Sequence, residues 1–180
     1  MEHRSYYFVF CSTDELLLQP QPDGSHTIPL CSEPPTAVKP WTAILDISPL
    51  GDTPVKTYRL DSPAQAAPGL QPCPLRQSYY RLPRDLYLKA GQCAELLYWD
   101  RTTQFCGVCG GPMQLHTAIS KRCQHCGKEV WPQLATAIIV RITRGSDEIL
   151  MARGRNFRGD FYGLIAGFVE TGETLEEAVR

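Results

Sequence analysis

The chain has 180 residues, of which 43% are hydrophobic and 21% charged, with a net charge of -1 and a pI near 6.4. That balance suits a folded chain of one large or two small domains and excludes an overall basic field for nucleic acid. No apolar run is long enough to cross a membrane, so no membrane partner is expected.

In chain order, "SYYFVFC" is rich in aromatic and β-branched residues and predicts a first strand rather than a signal peptide. A cytoplasmic location is the corresponding expectation. "QPQPDGSHTIPLCSEPPTAVKP" is dense in proline around an Asp-Gly turn signal and reads as a long surface loop. "WTAILDI" predicts a second strand and "KTYRL" a weaker one, and "DSPAQAAPGLQPCP" is irregular.

"RDLYLKAGQCAELLYWDRTTQFC" then turns helical. Ala94, Leu97, Tyr98 and Arg101 fall at i, i+3, i+4 and i+7, so three apolar groups share one stripe of a helix. Gly91 is expected to divide this stretch into two short helices. Further on, "ATAIIVRI", the turn "RGSD" and "EILMA" predict a hairpin. Arg153, Arg155 and Arg158 mark a basic loop, and "YGLIAGFVE" is strand-like.

Eight cysteines are present, unevenly spread. Cys11, Cys31, Cys73 and Cys93 are scattered and are expected to be reduced, mostly buried thiols. Cys106/Cys109 and Cys123/Cys126 form two C-x-x-C pairs with 13 residues between them. Each pair makes a tight turn that aims two sulfurs at one point, and two such turns complete a tetrahedral four-thiolate zinc site. Gly107, Gly110 and Gly127 suit the turn conformations, and "GPMQLHTAISKR" is long enough for a hairpin. An iron–sulfur cluster is the alternative use of four cysteines. With four thiolates the shell is closed, so the zinc is structural and folds residues that lack a core of their own. His116 and His125 are then surface or supporting groups. Lys121, Arg122 and Lys128 flank the second pair, compatible with a non-enzymatic ribbon that binds nucleic acid.

The last stretch, "GFVETGETLEEAVR", places Thr174 as an N-cap with Glu177 three residues on, a capping box. Leu175, Ala178 and Val179 share a face suited to packing on a sheet. Read whole, the stretch resembles the first half of the Nudix box, G-x5-E-x7-R-E-U-x-E-E-x-G-U with U aliphatic. Gly167 and Glu173 match, and residues 174 to 180 fill the spacer. The four-cysteine ribbon, "WPQLATAIIV" after it and "AGFVETGET" at the box narrow the resemblance to the NADH pyrophosphatase branch of the Nudix hydrolases, from about Leu88 to Arg180. Over the first 80 or so residues the resemblance is loose.

That resemblance implies cleavage of the diphosphate of NADH or NAD⁺ to NMN(H) and AMP, and of NAD-capped RNA. It implies catalytic Mg²⁺ or Mn²⁺ beside the structural zinc, and a homodimer. Ala166 matches a residue whose backbone carbonyl joins the divalent-metal site. Phe168 matches an aromatic that stacks on substrate, and Trp131 stands where the family has a substrate-contacting aromatic, usually tyrosine. Glu173 matches a glutamate that braces the loop. The glutamates of R-E-U-x-E-E are expected beyond Arg180, so no catalytic residue lies within the chain and it is expected to be inactive alone. A dimerising fragment is a further alternative. The expected fold is α+β: a β-rich domain with a short helical tail over 1–100, a zinc ribbon over 101–132, and the beginning of a Nudix α/β/α sandwich over 133–180. Apolar edges left open on that incomplete sandwich imply marginal stability or association.

Overall fold

A computed structural model describes residues 4–11, 14–61, 68–156 and 159–180. It is a mixed α+β chain, sheet-rich with few helices, in two units: Met1–Pro132 and Gln133–Arg180.

The first unit is organised by β1 (Ser5–Phe10), whose alternating side chains feed two cores. Phe8 and Phe10 join Leu16, Leu18 and Val55 on one face. Tyr7, Val9 and Cys11 join Leu17, Tyr58 and Leu60 on the other. The sheet also contains β2 (Glu15–Pro20), β3 (His26–Thr27), β4 (Leu30–Cys31), β5 (Leu45–Leu50), β6 (Thr53–Arg59) and β7 (Gln71–Pro74). Its order is β3-β2-β1-β6-β5, with β4 also on β1 and β7 also on β2. The β1–β6 pairing is parallel and the others are antiparallel. Buried polar groups in this layer are satisfied. The Thr57 hydroxyl donates to the Phe8 carbonyl at 2.7 Å, and the Thr36 and Tyr58 hydroxyls meet at 2.7 Å.

A short helix α1 (Leu75–Ser78) leads to α2 (Arg84–Thr102). Leu86, Ala90, Cys93 and Leu97 of α2 are buried in the Phe8/Phe10 core. The break expected at Gly91 does not occur, and α2 is one helix of 19 residues. A glycine inside a helix costs about 1 kcal/mol relative to alanine. Leu86 and Leu97, on either side of it, each contribute roughly 1.5–3 kcal/mol by burial. Packing therefore carries the helix through. Of the three apolar groups in the expected stripe, Leu97 is buried, Ala94 half-buried and Tyr98 exposed. Gly91 is exposed, and a methyl group there meets nothing within 4 Å. Gly91→Ala is therefore expected to raise stability by about 0.5–1 kcal/mol, read as a higher urea midpoint at unchanged slope.

The long proline-rich loop is more ordered than its composition implies. The Gln21–Ser25 turn is as expected, with Asp23 accepting from the Ser25 amide at 2.9 Å and Gly24 at φ +84°. Beyond it, β3 and β4 pair onto the sheet, Ile28 and Pro29 are fully buried, and the Tyr7 amide donates to the Pro29 carbonyl at 2.9 Å. The "WTAILDI" strand begins only at Leu45. In the irregular stretch, Gln71–Pro74 form β7, while residues 62–67 lie outside the described residues.

The second unit contains β11 (Ala137–Val140), β12 (Thr143–Arg144), β13 (Glu148–Ile149), β14 (Ile165–Phe168) and α3 (Leu175–Ala178). A hairpin forms around the expected turn, but its first strand is β12, just after "ATAIIVRI", paired with β13. The longer strand β11 pairs instead with β14, antiparallel, with Ala137 opposite Phe168 and Ile139 opposite Ala166. Both bonds of the Thr174/Glu177 capping box form. Among the described residues, no buried hydrophobic side chain comes from this unit. Leu175 and Val179, expected to pack on a sheet, are about half exposed.

Candidate functional site

Residues 104–130 continue from α2 as a three-stranded sheet: β8 (Met113–Thr117), β9 (Ser120–Cys123) and β10 (Glu129–Val130), in the order β10-β9-β8. β8 and β9 are the hairpin expected between the cysteine pairs. It delivers two turns of matching construction. In the first, the Gly110 amide donates to the Cys106 carbonyl at 2.9 Å and the Val108 amide points at the Cys106 sulfur at 3.4 Å. In the second, the Gly127 amide donates to the Cys123 carbonyl at 3.1 Å, and the His125 and Cys126 amides point at the Cys123 sulfur at 3.4 and 3.5 Å. Gly110 and Gly127 close the turns at φ +70° and +74°, where a side chain is strained. Gly107 has no such φ, so the turn conformation does not require glycine there. A Cβ at Gly111 would lie 2.7 Å from the His125 imidazole, so a side chain there requires His125 to move.

The four sulfurs of Cys106, Cys109, Cys123 and Cys126 lie within 4.8 Å of one another. The separations Cys106–Cys126 and Cys109–Cys123 are 3.7 and 3.5 Å. A tetrahedron with Zn–S bonds of about 2.3 Å has edges of about 3.8 Å. The cluster therefore fits a single tetrahedral ion and is too tight for a multi-iron cluster. Amide hydrogen bonds from Cys126 and then His125 pull the Cys123 thiol down to about 6. At Cys109 the Gly111 amide also lowers the thiol, but the Cys126 and Cys123 thiols outweigh it and push it up to about 12. Sulfurs this close do not all ionise side by side without a cation between them. Cys106 and Cys123 are buried, Cys109 and Cys126 exposed. The remaining cysteines carry no disulfide: Cys11, Cys73 and Cys93 are buried and Cys31 half-buried.

The basic residues beside the second turn are partly engaged within the protein. Lys121 is 2% exposed. Its ammonium lies 2.8 Å from the Asp100 carboxylate and donates to the Asp100 and Thr103 carbonyls at 2.6 and 2.9 Å. It also lies 5.7 Å from the centroid of the Trp99 ring. Lys121 thus supplies the donors that the last turn of α2 lacks and pins the ribbon to that helix. Arg122 bonds His116 at 2.6 Å and pairs with Glu129 at 3.2 Å. Of the three, Arg122 and Lys128 are exposed, and Lys121 is buried.

The residues carried over from the box lie apart from the cysteines in sequence and in unit. Ala166 and Phe168 are two apart on β14 and share a face, with Phe168 73% exposed. An open cleft of about 570 Å³ in this unit is lined by Thr136, Phe168, Glu170, Glu173 and Leu175, among others. Glu173 accepts from the Glu170 amide at 2.9 Å and so braces the turn into α3. Trp131, directly after β10 in the first unit, is 54% exposed. In the basic loop, Arg153 pairs with Asp160 at 3.0 Å, Arg155 is exposed, and Arg158 lies outside the described residues.

A four-thiolate ribbon, joined to a sheet-and-helix domain on one side and a capped strand-to-helix turn on the other, defines a zinc-ribbon member of the Nudix class. The chain belongs to the NADH pyrophosphatase branch of that class. A family model described as the NADH pyrophosphatase-like rudimentary NUDIX domain matches residues 5–99, and the NADH pyrophosphatase zinc ribbon domain matches residues 101–130. Among curated relatives, the NAD-capped RNA hydrolase NudC of Deinococcus radiodurans is 40% identical over 142 residues, 77% of this chain and 50% of the relative. The protein of the same name from Pseudomonas aeruginosa is 38% identical over 128 residues, 70% of this chain and 45% of the relative. That from Photorhabdus laumondii is 46% identical over 99 residues, 53% of this chain and 37% of the relative. The chain thus spans about half the length of the curated relatives it matches. The match over 5–99 exceeds what the sequence motifs suggested, because that region carries no box and no metal-ligand spacing.

Proposed function

We propose that this chain is part of a hydrolase that cleaves the diphosphate of NADH or NAD⁺, and of NAD-capped RNA, yielding NMN(H) and AMP. The observation that carries the reading is the joint family match over residues 5–99 and 101–130, followed by Gly167 and Glu173 at the Nudix-box spacing. The organisation proposed is a β-rich domain over 1–100, a ribbon over 101–132 and the opening of the Nudix domain over 133–180. Cys106, Cys109, Cys123 and Cys126 hold a structural zinc, whose closed shell leaves no position for a reacting water. Phe168 and Trp131 offer stacking surfaces for the substrate's rings, and their exposure supports that role. The Ala166 backbone carbonyl is the one proposed ligand within these residues for a catalytic Mg²⁺ or Mn²⁺. When bound, such an ion neutralises diphosphate charge and activates water. Glu173 holds the turn from which the helix departs. A cytoplasmic homodimer is the state proposed for the complete protein; among the described residues no helix is long and apolar enough to cross a membrane.

The alternative of a nucleic-acid-binding ribbon is less well supported, because Lys121 and Arg122 are engaged within the protein. Residues 1–180 contain none of the R-E-U-x-E-E glutamates. The 180-residue chain with Mg²⁺ or Mn²⁺ is therefore expected to release no NMNH or AMP from NADH above background. Robust turnover would overturn the assignment of metal binding to the second half of the box.

A further inference from the structure

Three tyrosines gather on the first unit where β7 gives way to α1 and α2. Tyr87, in the first turn of α2, is half-buried and packs against the Phe8/Phe10 core. The Tyr79 ring stands edge to face with it, centroids 5.3 Å apart, and edge to face with Tyr80 at 5.2 Å. The backbone carrying the pair is held as well. The Tyr80 and Arg81 amides donate to the Gln77 and Ser78 carbonyls at 3.1 and 3.0 Å, and the Ser78 hydroxyl donates to the Leu75 carbonyl at 2.7 Å. Yet Tyr80 is 85% exposed and Tyr79 more than half. The rings are braced by one another and by the core, and they remain open to solvent.

The three tyrosines line an open cleft of about 430 Å³ together with Pro74, Arg76 and Gln77, and among the described residues no carboxylate lines it. Arg76 lies in the cleft, and Arg81 and Arg84 follow in the same segment, all three exposed. Among the described residues none of the three forms an ion pair. The acidic groups nearest in the fold are engaged elsewhere. Glu15, opposite Pro74 in the β2–β7 pairing, meets the Cys11 thiol at 3.9 Å. The Asp14 carboxylate interacts with Arg59, and the Asp85 carboxylate accepts from the Leu86 amide at 2.9 Å. The chain as a whole carries a net charge of -1, so this is a local positive face.

We infer that this face binds single-stranded RNA, with bases stacked on Tyr79 and Tyr80 and backbone phosphates on Arg76 and the arginines that follow. Exposed rings interleaved with unpaired cations match a strand of alternating bases and phosphates. A proline-rich peptide would engage the tyrosines but leave the three cations unanswered. The choice of RNA over DNA rests on the proposed hydrolase reading, in which capped RNA is a substrate. The face itself stands on residues of the first unit alone.

The test follows a dye-labelled, uncapped oligouridylate by fluorescence anisotropy as the zinc-loaded 180-residue chain is added at low salt. Binding is expected to weaken with salt, the logarithm of affinity falling against that of salt with a slope of about -2 for three phosphate contacts. Tyr80→Ala is expected to weaken binding about tenfold, with Tyr80→Phe close to the parent. Arg76→Ala is expected to weaken it and to reduce the slope by about 0.7. Lys128→Ala, on the ribbon, is expected to change neither. All three side chains are exposed, so zinc content and circular dichroism report an intact fold in each variant. The probe carries no cap and binding is read without turnover. A failure to cleave NADH therefore leaves this result standing, and a failure to bind leaves the hydrolase reading standing. The inference is overturned if the RNA does not bind at low salt, if Tyr80→Ala binds it as the parent does, or if Lys128→Ala weakens it as much as Arg76→Ala. It is equally overturned if oligothymidylate binds more tightly than the RNA, or if oligoproline binds in place of RNA and is lost in Tyr80→Ala.

Discussion

Cys123→Ser is expected to abolish tight zinc binding and to unfold residues 104–130 while the N-terminal sheet stays folded. The ribbon has almost no core of its own: Cys106, Met113 and Cys123 are buried together, with Val130 against them. Structural zinc contributes an apparent 10–16 kcal/mol or so in comparable small sites, far more than that cluster supplies by burial. The sheet around β1 has two cores that include none of the four ligands. Amide exchange read residue by residue should show protection lost from Met113 to Val130 and kept in β1 and β6. Chelation of the parent protein should reproduce the pattern. Affinity is also expected to weaken as pH falls, because each thiol must lose its proton to bind and protons compete below the thiol pKa values. A ribbon that keeps its protection in Cys123→Ser, or zinc affinity that is flat with pH, would contradict the four-thiolate site.

The second large effect is expected at Lys121. Lys121→Met keeps much of the aliphatic bulk but leaves the Asp100 carboxylate and two helix-end carbonyls without their ammonium partner. Removing one member of a buried pair costs about 3–5 kcal/mol when both charges are enclosed. The Asp100 side chain is 22% exposed, so part of that cost returns through water, and a loss of about 2–4 kcal/mol is expected. Lys128→Met, at an exposed position just after the second cysteine turn, is the control and should change stability by no more than about 0.5 kcal/mol. Urea unfolding of the two variants distinguishes them. Equal small losses would mean that Lys121 is not the clamp between α2 and the ribbon.

Features whose cause is local were legible in the sequence. The C-x-x-C pairs imply turns that need only their own residues and the glycines beside them. The Thr174/Glu177 box is likewise closed within four residues. β1 announces itself through aromatic and β-branched content. Features decided by distant packing were not legible. β2, "ELLLQP", lacks β-branched residues, and its leucines form a strand because both faces of the sheet are covered. Gly91 signals a break, but α2 continues because the sheet beneath it rewards burial on either side. Lys121 looks like surface charge, and its partners lie about twenty residues back in the chain. The crowding of Gly111 arises from the approach of His125 in the opposite turn, with no signal in the neighbouring residues. In the second unit the strand and cap were legible, while Leu175 and Val179 lack the packing that their spacing implies.

The most direct measurement joins residues 1–180 to the part of the Deinococcus radiodurans relative that lies C-terminal to its match with this chain, and assays the hybrid with NADH and Mn²⁺. The account predicts NMNH and AMP in equal amounts, with activity falling at least about tenfold in Phe168→Ala as one stacking surface is lost. A hybrid that is folded and zinc-loaded yet leaves NADH intact, or that cleaves it elsewhere than the diphosphate, would contradict it.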